Sequence, residues 1–329
     1  MGVKHLNQYL RRKCEDSINH ISLSELSGKK VAIDISIYLY RALADDSLLE
    51  GIFQLLSVLI EHGIIPIVVF DGKPPSEKKG VLDERREKRK KAQLKADELE
   101  KLIAACDDEE ELKELNHELS QAKKGMVRVQ KQDVEEVKRL IMSLGVSYLE
   151  AMGEADVLCA KLVQKRYAWA CISEDMDMFV YGCPRVLRYL SLLTKTAVLY
   201  DQELILKQLG IDQSRFREIC VLSGTDYGRE NASVPIAKSM SLSEQYDELD
   251  DENKDGFLEW CASNIKSISN VYSIYSISYM FDLNLCEMPK GVTPSRFVNG
   301  PIIIDNVKDI LECEGFLFAE ETDKEVTLP

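Results

Sequence analysis

Apolar residues along this chain form two kinds of pattern. Short continuous apolar runs, typical of buried strands, occupy Lys30–Asp34, Ile64–Asp71, Val146–Leu149 and Ala168–Ile172. Between these runs, amphipathic spacing predicts helices that begin at Ser36, span 50–63 and 133–145, and begin again at Glu154. Buried strands separated by helices predict an α/β fold with a mainly parallel central sheet covered by helices.

The pattern is weaker at the two ends of the chain. Residues 2–28 indicate a short helix and a connector that lead into the first strand. After the parallel strands, Arg185–Leu190 and Ala197–Tyr200 indicate a hairpin or an edge pair, followed by helices at Asp201–Leu209 and Ser214–Ser223. The chain becomes acidic and polar from about Glu244, and we expect a mostly helical C-terminal region.

The span 73–131 has no strand signal and is rich in charge. We expect one long helix or a helical pair there, broken around Ala105–Asp108. Its first part, 73–95, holds ten basic residues and four acids, a local charge of +6 in a chain of −14. Such a helix can attract a phosphate backbone. The alternative is a solvated helix whose charges pair with one another.

Seven carboxylates stand at the ends of predicted strands or helices. They are Asp34, Asp71, Glu154, Asp156, Asp175, Asp177 and Asp226. Ligand sites of open α/β sheets gather at the carboxyl ends of strands, so we expect these acids to meet. Any one of these acids alone is commonly a solvated residue at the start of a helix. Carboxylates that are crowded together, however, repel one another unless a cation neutralises them.

The ligand chemistry of this acidic set favours particular metals. Carboxylate oxygens without His or Cys partners suit Mg²⁺ or Mn²⁺ better than Zn²⁺. Seven carboxylates exceed the needs of one ion, so we expect two Mg²⁺ ions, for which Mn²⁺ can substitute. Two-metal sites serve in-line displacement at phosphorus.

Composition excludes several other classes of protein. The 329 residues are 45% hydrophobic, with 42 basic and 56 acidic residues, a balance that argues against a generic basic DNA-coating protein. No two of the nine cysteines form a C-x-x-C pair. This pattern indicates that the thiols are reduced and that the protein is intracellular. Because no apolar run is long enough to cross a membrane, we expect a soluble protein without a membrane partner.

Six short motifs occur in a fixed order between residues 1 and 228: Met1–Leu6, Val31–Ser36, Val69–Pro75, Glu150–Asp156, Ser173–Asp177 and Leu222–Tyr227. In this order and spacing, the chain resembles the flap endonuclease and XPG-like family of structure-specific 5′-nucleases. The resemblance implies a PIN/5′-nuclease-like fold, in which 73–131 forms a helical arch. It also implies a nuclease region of residues 1–100, a second region of 132–228 that completes the same core, and a divergent region of 229–329.

The resemblance also implies the activity and the roles of individual residues. It predicts a Mg²⁺-dependent endonuclease and 5′-exonuclease that cuts DNA at a 5′ single-strand/duplex junction, in replication, repair or recombination. Asp34, Asp71, Glu154 and Asp156 would hold one ion and Asp175, Asp177 and Asp226 the second. Lys78 and Arg85, two helical turns apart, would stabilise charge on the scissile phosphate. The DNA contacts implied are a stacking Tyr40 and the backbone at Gly2 and Gly224.

The chain departs from the family pattern in three places. Ser233 and Pro235 stand where the family's duplex-gripping hairpin loop has glycines, and Leu55 stands where it has a phosphate-contacting arginine. The clamp-binding Gln-x-x-Leu-x-x-Phe-Phe motif is also missing, so no sliding-clamp peptide is evident.

Two other functions stay open at this point. One is an RNA-cleaving nuclease of the same fold, and the other is a catalytically silent protein that binds DNA junctions as a scaffold. We expect a monomer that acts in the nucleus or at another site of DNA replication.

Overall fold

A computed structural model describes residues 2–73, 75, 78–105, 108–227, 234–250, 256–265, 268 and 270–316. Within these residues the chain forms a seven-stranded sheet in the order β1-β7-β6-β5-β2-β3-β4. The strands are β1 Ile18–Ser22, β2 Lys30–Asp34, β3 Ile65–Phe70, β4 Ser147–Glu150, β5 Ala170–Ile172, β6 Arg185–Ser191 and β7 Thr196–Asp201.

The middle of the sheet is parallel and both of its faces are buried. Strand β2 pairs in parallel with β3 and β5, while the outer pairs β6–β7 and β1–β7 are antiparallel. Successive side chains of a strand point to opposite faces. Accordingly, Val31 and Ile33 enter one hydrophobic core and Ala32 enters the other. The predicted α/β fold with a mainly parallel sheet is confirmed.

Helices cover both faces of the sheet. Those of the first half are α1 Leu6–Lys13, α2 Ser36–Ala44, α3 Leu48–Glu61, α4 Lys79–Ala105, α5 Glu109–Met126 and α6 Lys131–Ser143. Those of the second half are α7 Ala155–Gln164, α8 Asp177–Val180, α9 Gln202–Leu209, α10 Gln213–Ser223, α11 Ile236–Asp247, α12 Phe257–Asn264, α13 Val271–Met280 and α14 Ile304–Glu312.

Helices α4 and α5 form the predicted helical pair. They pack through a small apolar cluster that contains Ala96, Leu99, Leu119 and Ala122. Two ion pairs also link them, Lys95 to Glu118 at 2.8 Å and Lys123 to Glu100 at 3.0 Å. At the base of α5, Lys124 lies 2.6 Å from Asp45 in the connection between α2 and α3. The pair therefore forms an arch, and the contact between Lys124 and Asp45 joins its α5 end to the core.

The prediction for residues 2–28 was incomplete because it missed strand β1. The sequence Ile18–Ser22 lacks a continuous apolar run, and the strand forms through antiparallel pairing with β7, in which Ile18 lies opposite Tyr200. Such pairing partners are distant in sequence, so the local pattern does not indicate them.

The C-terminal region returns to the first half of the protein. Helix α14 buries Val307 and Leu311 in the core that also contains the apolar faces of α3 and α6. Just before it, the Gly300 backbone N–H donates to the Gly145 carbonyl at 2.7 Å. Leu55, where the family has an arginine, is a buried residue of α3. The regional boundaries at 100, 132 and 229 stay a prediction, because one sheet joins strands from both sides of the arch.

None of the helices in the described ranges is long and apolar enough to cross a membrane.

Candidate metal centre

The carboxyl edge of the parallel strands gathers the predicted acids. Strand β2 ends at Asp34, β3 ends one residue before Asp71, and β5 leads into the loop 173–177. These strands are neighbours in the order β5-β2-β3, so their carboxyl ends meet at one edge. Helix α7 begins beside them, with Glu154 at its N-cap and Asp156 in its first turn.

Three of the acids form a tight and buried group. Carboxylate oxygens of Asp175, Asp177 and Asp226 all lie within 4.8 Å of one another, and each residue is at most 5% exposed. Among the residues the structure describes, neither carboxylate oxygen of Asp177 has a hydrogen-bond partner. A buried carboxylate without a partner is costly, and a divalent cation bound by the three oxygens would remove that cost. The donor set therefore fits Mg²⁺.

Three of the other four acids accept hydrogen bonds from serine hydroxyls or from the backbone. Ser173 Oγ lies 3.5 Å from oxygens of both Asp34 and Asp156. One Asp71 oxygen accepts the Ala155 backbone N–H at 2.7 Å, and the other accepts the Ser36 hydroxyl. Together with Glu154 at the start of α7, these three are the acids that the resemblance assigns to the other ion, and this assignment stays a prediction.

Burial and the charges of neighbouring acids raise the pKa values of three of the carboxylates. Burial, followed by the charge of Asp71, raises the pKa of Asp34. Burial and then the charge of Asp34 raise the pKa of Asp156 well above its usual value. Burial and then the charge of Asp175 do the same for the pKa of Asp177. Each raised pKa marks a group that a nearby cation would stabilise in its charged form.

Two basic residues of the arch face this pocket. Lys78, immediately before α4, lies with its Nζ atom 2.6 Å from Oε1 of Glu154 and is 8% exposed. Farther along, within α4, Arg85 lies with Nη2 3.9 Å from Oδ2 of Asp226 and remains half exposed. The structure thus brings both predicted basic residues to the carboxylates.

The three residues predicted to contact DNA are Gly2, Tyr40 and Gly224. Gly2 has a φ of 76°, and a Cβ atom there would lie 2.5 Å from Oδ1 of Asp175, so the N-terminal segment closes one side of the pocket. Tyr40 is 43% exposed on α2, the helix that follows Asp34. Gly224 ends α10 with a φ of 91°, two residues before Asp226. Their contacts with DNA stay predictions.

The hairpin loop that departs from the family lies mostly outside the described residues. Ser233 is among the residues not described, whereas Pro235 precedes α11 as its N-cap residue. The predicted loss of duplex grip stays a prediction.

The sequence pattern did not identify the two tyrosines that lie beside Glu154. The Tyr227 hydroxyl donates to Oε2 of Glu154, and the Tyr181 hydroxyl lies 3.1 Å from that of Tyr227. Burial, with the Glu154 charge beside it, raises the pKa of Tyr227, so the phenol keeps its proton. Tyr227 follows Asp226 directly, but nothing in the sequence pattern indicates that its ring turns toward Glu154.

Comparisons with known proteins place the chain in a family. Residues 1–92 match the XPG N-terminal domain and residues 145–226 match the XPG I-region. Flap endonuclease 1 of Meyerozyma guilliermondii is 33% identical over 283 residues, which cover 80% of this chain and 71% of that protein. Flap endonuclease 1 of Homo sapiens is 30% identical over 270 residues, covering 76% and 68%.

Solved structures share the same fold. The catalytic core of Rad2 in complex with a DNA substrate superposes with a TM-score of 0.69 at 21% identity, covering 96% of each chain. Flap endonuclease-1 from Methanococcus jannaschii gives 0.62 at 24% identity, covering 90% of each. Human GEN1 in complex with Holliday junction DNA gives 0.64 at 18% identity, covering 95% of this chain and 73% of that one.

These similarities, together with an acidic centre at the carboxyl edge of the sheet, define the class as structure-specific nucleases. The chain belongs to the flap endonuclease and XPG family of 5′-nucleases.

Proposed function

We propose that this protein is a Mg²⁺-dependent nuclease that cuts DNA phosphodiesters near a 5′ single-strand/duplex junction. The observation that carries the proposal is the buried group of Asp175, Asp177 and Asp226, in which Asp177 has no hydrogen-bond partner among the described residues. The family and the names of its relatives support DNA as the substrate. We expect the enzyme to act as a monomer during replication, repair or recombination in the nucleus.

The seven carboxylates divide into two ligand sets in this proposal. Asp175, Asp177 and Asp226 hold one ion, and Asp34, Asp71, Glu154 and Asp156 hold the other, some of them through water. Bound Mg²⁺ ions supply an activated water nucleophile and neutralise charge at phosphorus. The carboxylates would keep the ions in fixed positions, because the sheet edge and the start of α7 hold these side chains rigidly.

Lys78 and Arg85 supply positive charge from the opposite side of the pocket. Their side chains reach Glu154 and Asp226, one acid from each ligand set. We therefore expect both cationic groups to lie beside a phosphate bound between the two sets. Fixed cations at that place stabilise charge that grows on the phosphate oxygens in the transition state. The products expected are a 5′-phosphate and a 3′-hydroxyl.

DNA reaches the centre along the basic part of the arch. The span 73–95 carries a charge of +6, whereas the whole chain carries −14. Such a basic segment attracts the phosphate backbone and guides it toward the acids. Exposed Tyr40 offers a stacking surface beside the pocket, and Gly2 and Gly224 allow the backbone to approach the strand.

The test is cleavage of a labelled 5′-flap DNA with MgCl₂ by the wild-type protein and by Asp175→Asn. We expect the variant to lose about 10³-fold in kcat, the loss typical of a main electrostatic stabiliser. Asp305→Asn, an exposed acid at the start of α14, is the matched control and should cut normally. Wild-type cleavage by Asp175→Asn would contradict the proposal.

The same assay separates the two alternatives. An RNA flap of the same sequence, cut faster than the DNA flap, would identify an RNA nuclease. A wild-type protein that binds the DNA flap but neither cuts it nor binds Mg²⁺ in calorimetry would be a silent junction-binding scaffold.

A further inference from the structure

We infer that Tyr227 is a positioning residue that holds Lys78 and Glu154 in the orientation needed for cleavage. This inference rests on the proposed function, in which Lys78 stabilises the scissile phosphate. Tyr227 itself would not touch the DNA. It acts through two groups that do the chemistry.

Tyr227, Lys78 and Glu154 form a closed set of contacts. The Tyr227 hydroxyl donates to Oε2 of Glu154, and the Lys78 ammonium donates to Oε1 at 2.6 Å. The third side is closed by the Lys78 ammonium, which lies 4.8 Å from the centre of the Tyr227 ring. Each of the three groups is therefore fixed by the other two.

Lys78 needs this support because of its chemistry and its place in the chain. A lysine side chain has four freely rotating carbons, and holding its ammonium in one place costs conformational entropy. Lys78 also precedes the first residue of α4, so its backbone lies outside the regular helix. An aromatic face and a carboxylate together restrict the ammonium, since both attract a positive charge.

Tyr227 is itself held in place by contacts with neighbouring residues. Its backbone N–H donates to the Thr225 hydroxyl at 3.2 Å, and its own hydroxyl lies 3.1 Å from that of Tyr181. Phe281, just after α13, packs edge-on against the Tyr227 ring with 5.2 Å between ring centres and also contacts the Tyr181 ring at 4.8 Å. The divergent C-terminal region therefore contributes directly to the support of the catalytic pocket.

The hydroxyl and the ring have separable roles. Tyr227→Phe keeps the ring under the Lys78 ammonium but removes the donor to Glu154. Tyr227→Leu removes both. Because the two variants differ in the aromatic ring, their comparison divides the effect between the hydrogen bond and the contact with the ammonium.

The experiment is a double-mutant cycle with Lys78→Met on the Mg²⁺-dependent cleavage of a 5′-flap DNA. We expect Tyr227→Phe to lower kcat about tenfold and Tyr227→Leu about 100-fold, with KM changed less than about twofold. In the Lys78→Met background the extra loss of Tyr227→Leu over Tyr227→Phe should fall below about threefold, because the ammonium that the ring positions is gone. The Tyr227→Phe loss acts through Glu154 and should remain. Tyr272→Phe and Lys207→Met, both exposed, serve as controls.

A second readout needs neither DNA nor turnover. Calorimetry with Mn²⁺ alone should show about tenfold weaker binding to Tyr227→Phe, since a group that hydrogen-bonds a metal ligand sets its orientation. Thermal unfolding identifies variants that have lost the fold, and the conservative Tyr227→Phe keeps the test available where Tyr227→Leu does not fold.

Three outcomes would overturn the inference in distinguishable ways. Wild-type kcat and wild-type Mn²⁺ affinity in Tyr227→Phe would mean that the Tyr227 hydroxyl does not hold Glu154 in place. A Tyr227→Leu effect that is as large in the Lys78→Met background as in the wild type would mean that Tyr227 does not act through Lys78. Wild-type cleavage by Lys78→Met would overturn the role of Lys78 in the proposed function together with this inference.

Discussion

The backbone of Gly2 lies directly against the carboxylate of Asp175. A Cβ atom at position 2 would be 2.5 Å from Oδ1 of Asp175 and 2.6 Å from Oδ1 of Asp177. Real Cβ atoms do not approach oxygen this closely, so any larger residue must push the N-terminal segment and the aspartates apart. This contact couples the start of the chain to the predicted metal ligands, which lie more than 170 residues away.

Gly2→Ala should therefore damage the metal centre. We expect Mn²⁺ affinity and kcat to fall by about tenfold or more, because metal ligands must keep their positions to within a few tenths of an ångström. Gly28→Ala is a matched control, since Gly28 has a similar φ of 73° but no atom lies within 4 Å of the place that its Cβ would take. Equal losses in the two variants would attribute the effect to backbone strain alone.

Asp177→Asn should stabilise the metal-free protein. Both carboxylate oxygens of Asp177 are buried without a hydrogen-bond partner in the described part of the chain, and Asp175 and Asp226 repel its charge. Neutralising such a charge should raise the free energy of unfolding by about 1–3 kcal/mol, measured by urea denaturation in EDTA. Asp305→Asn should leave it unchanged. A destabilised Asp177→Asn protein would contradict the unpaired state of this carboxylate.

Mg²⁺ should stabilise the wild-type fold more than that of Asp177→Asn, which keeps only the other ligand set intact. A ligand that binds only the folded state at about 100 times its Kd adds about 2.7 kcal/mol, which appears as a higher Tm. Thermal unfolding with and without EDTA measures the difference. If Mg²⁺ raises the Tm of both proteins equally, the ion binds somewhere other than the group of Asp175, Asp177 and Asp226.

Removal of basic charge from α4 should weaken DNA binding at low salt more than at high salt. For Arg86→Gln combined with Lys91→Gln, we expect the slope of log K against log salt to decrease by about one for each phosphate that the variant no longer neutralises. Binding is measured by fluorescence anisotropy with Ca²⁺ replacing Mg²⁺ to prevent cleavage. Lys308→Gln on α14 is the control. An unchanged slope would mean that this part of the arch is only a solvated helix.

Much of the fold could be predicted from the local pattern. The strands β2 and β3 are continuous apolar runs because both faces of a parallel sheet are buried. This pattern can be recognised in the sequence without knowing which strands pair with them. The break between α4 and α5 was also visible. Strand β1 was not, because its polar sequence becomes a strand only when β7 is alongside it.

The predicted acids could likewise be found from their positions in the sequence, whereas Lys78 and Arg85 were identified from their spacing and the family resemblance. Asp226 follows the end of α10, and the other acids follow a strand or start a helix. Asp34 and Asp71 are brought together because β2 and β3 are neighbouring parallel strands. Their roles as metal ligands stay predictions.

The sequence by itself determined the buried strands, the charge of the arch and the acids at the strand ends, because each depends on residues that are close together along the chain. Only the tertiary structure decided that Tyr227 supports Lys78, that Gly2 touches Asp175 and that α14 returns to α3 and α6. These contacts join residues far apart in sequence, and their formation depends on how the whole core packs, which no local pattern records.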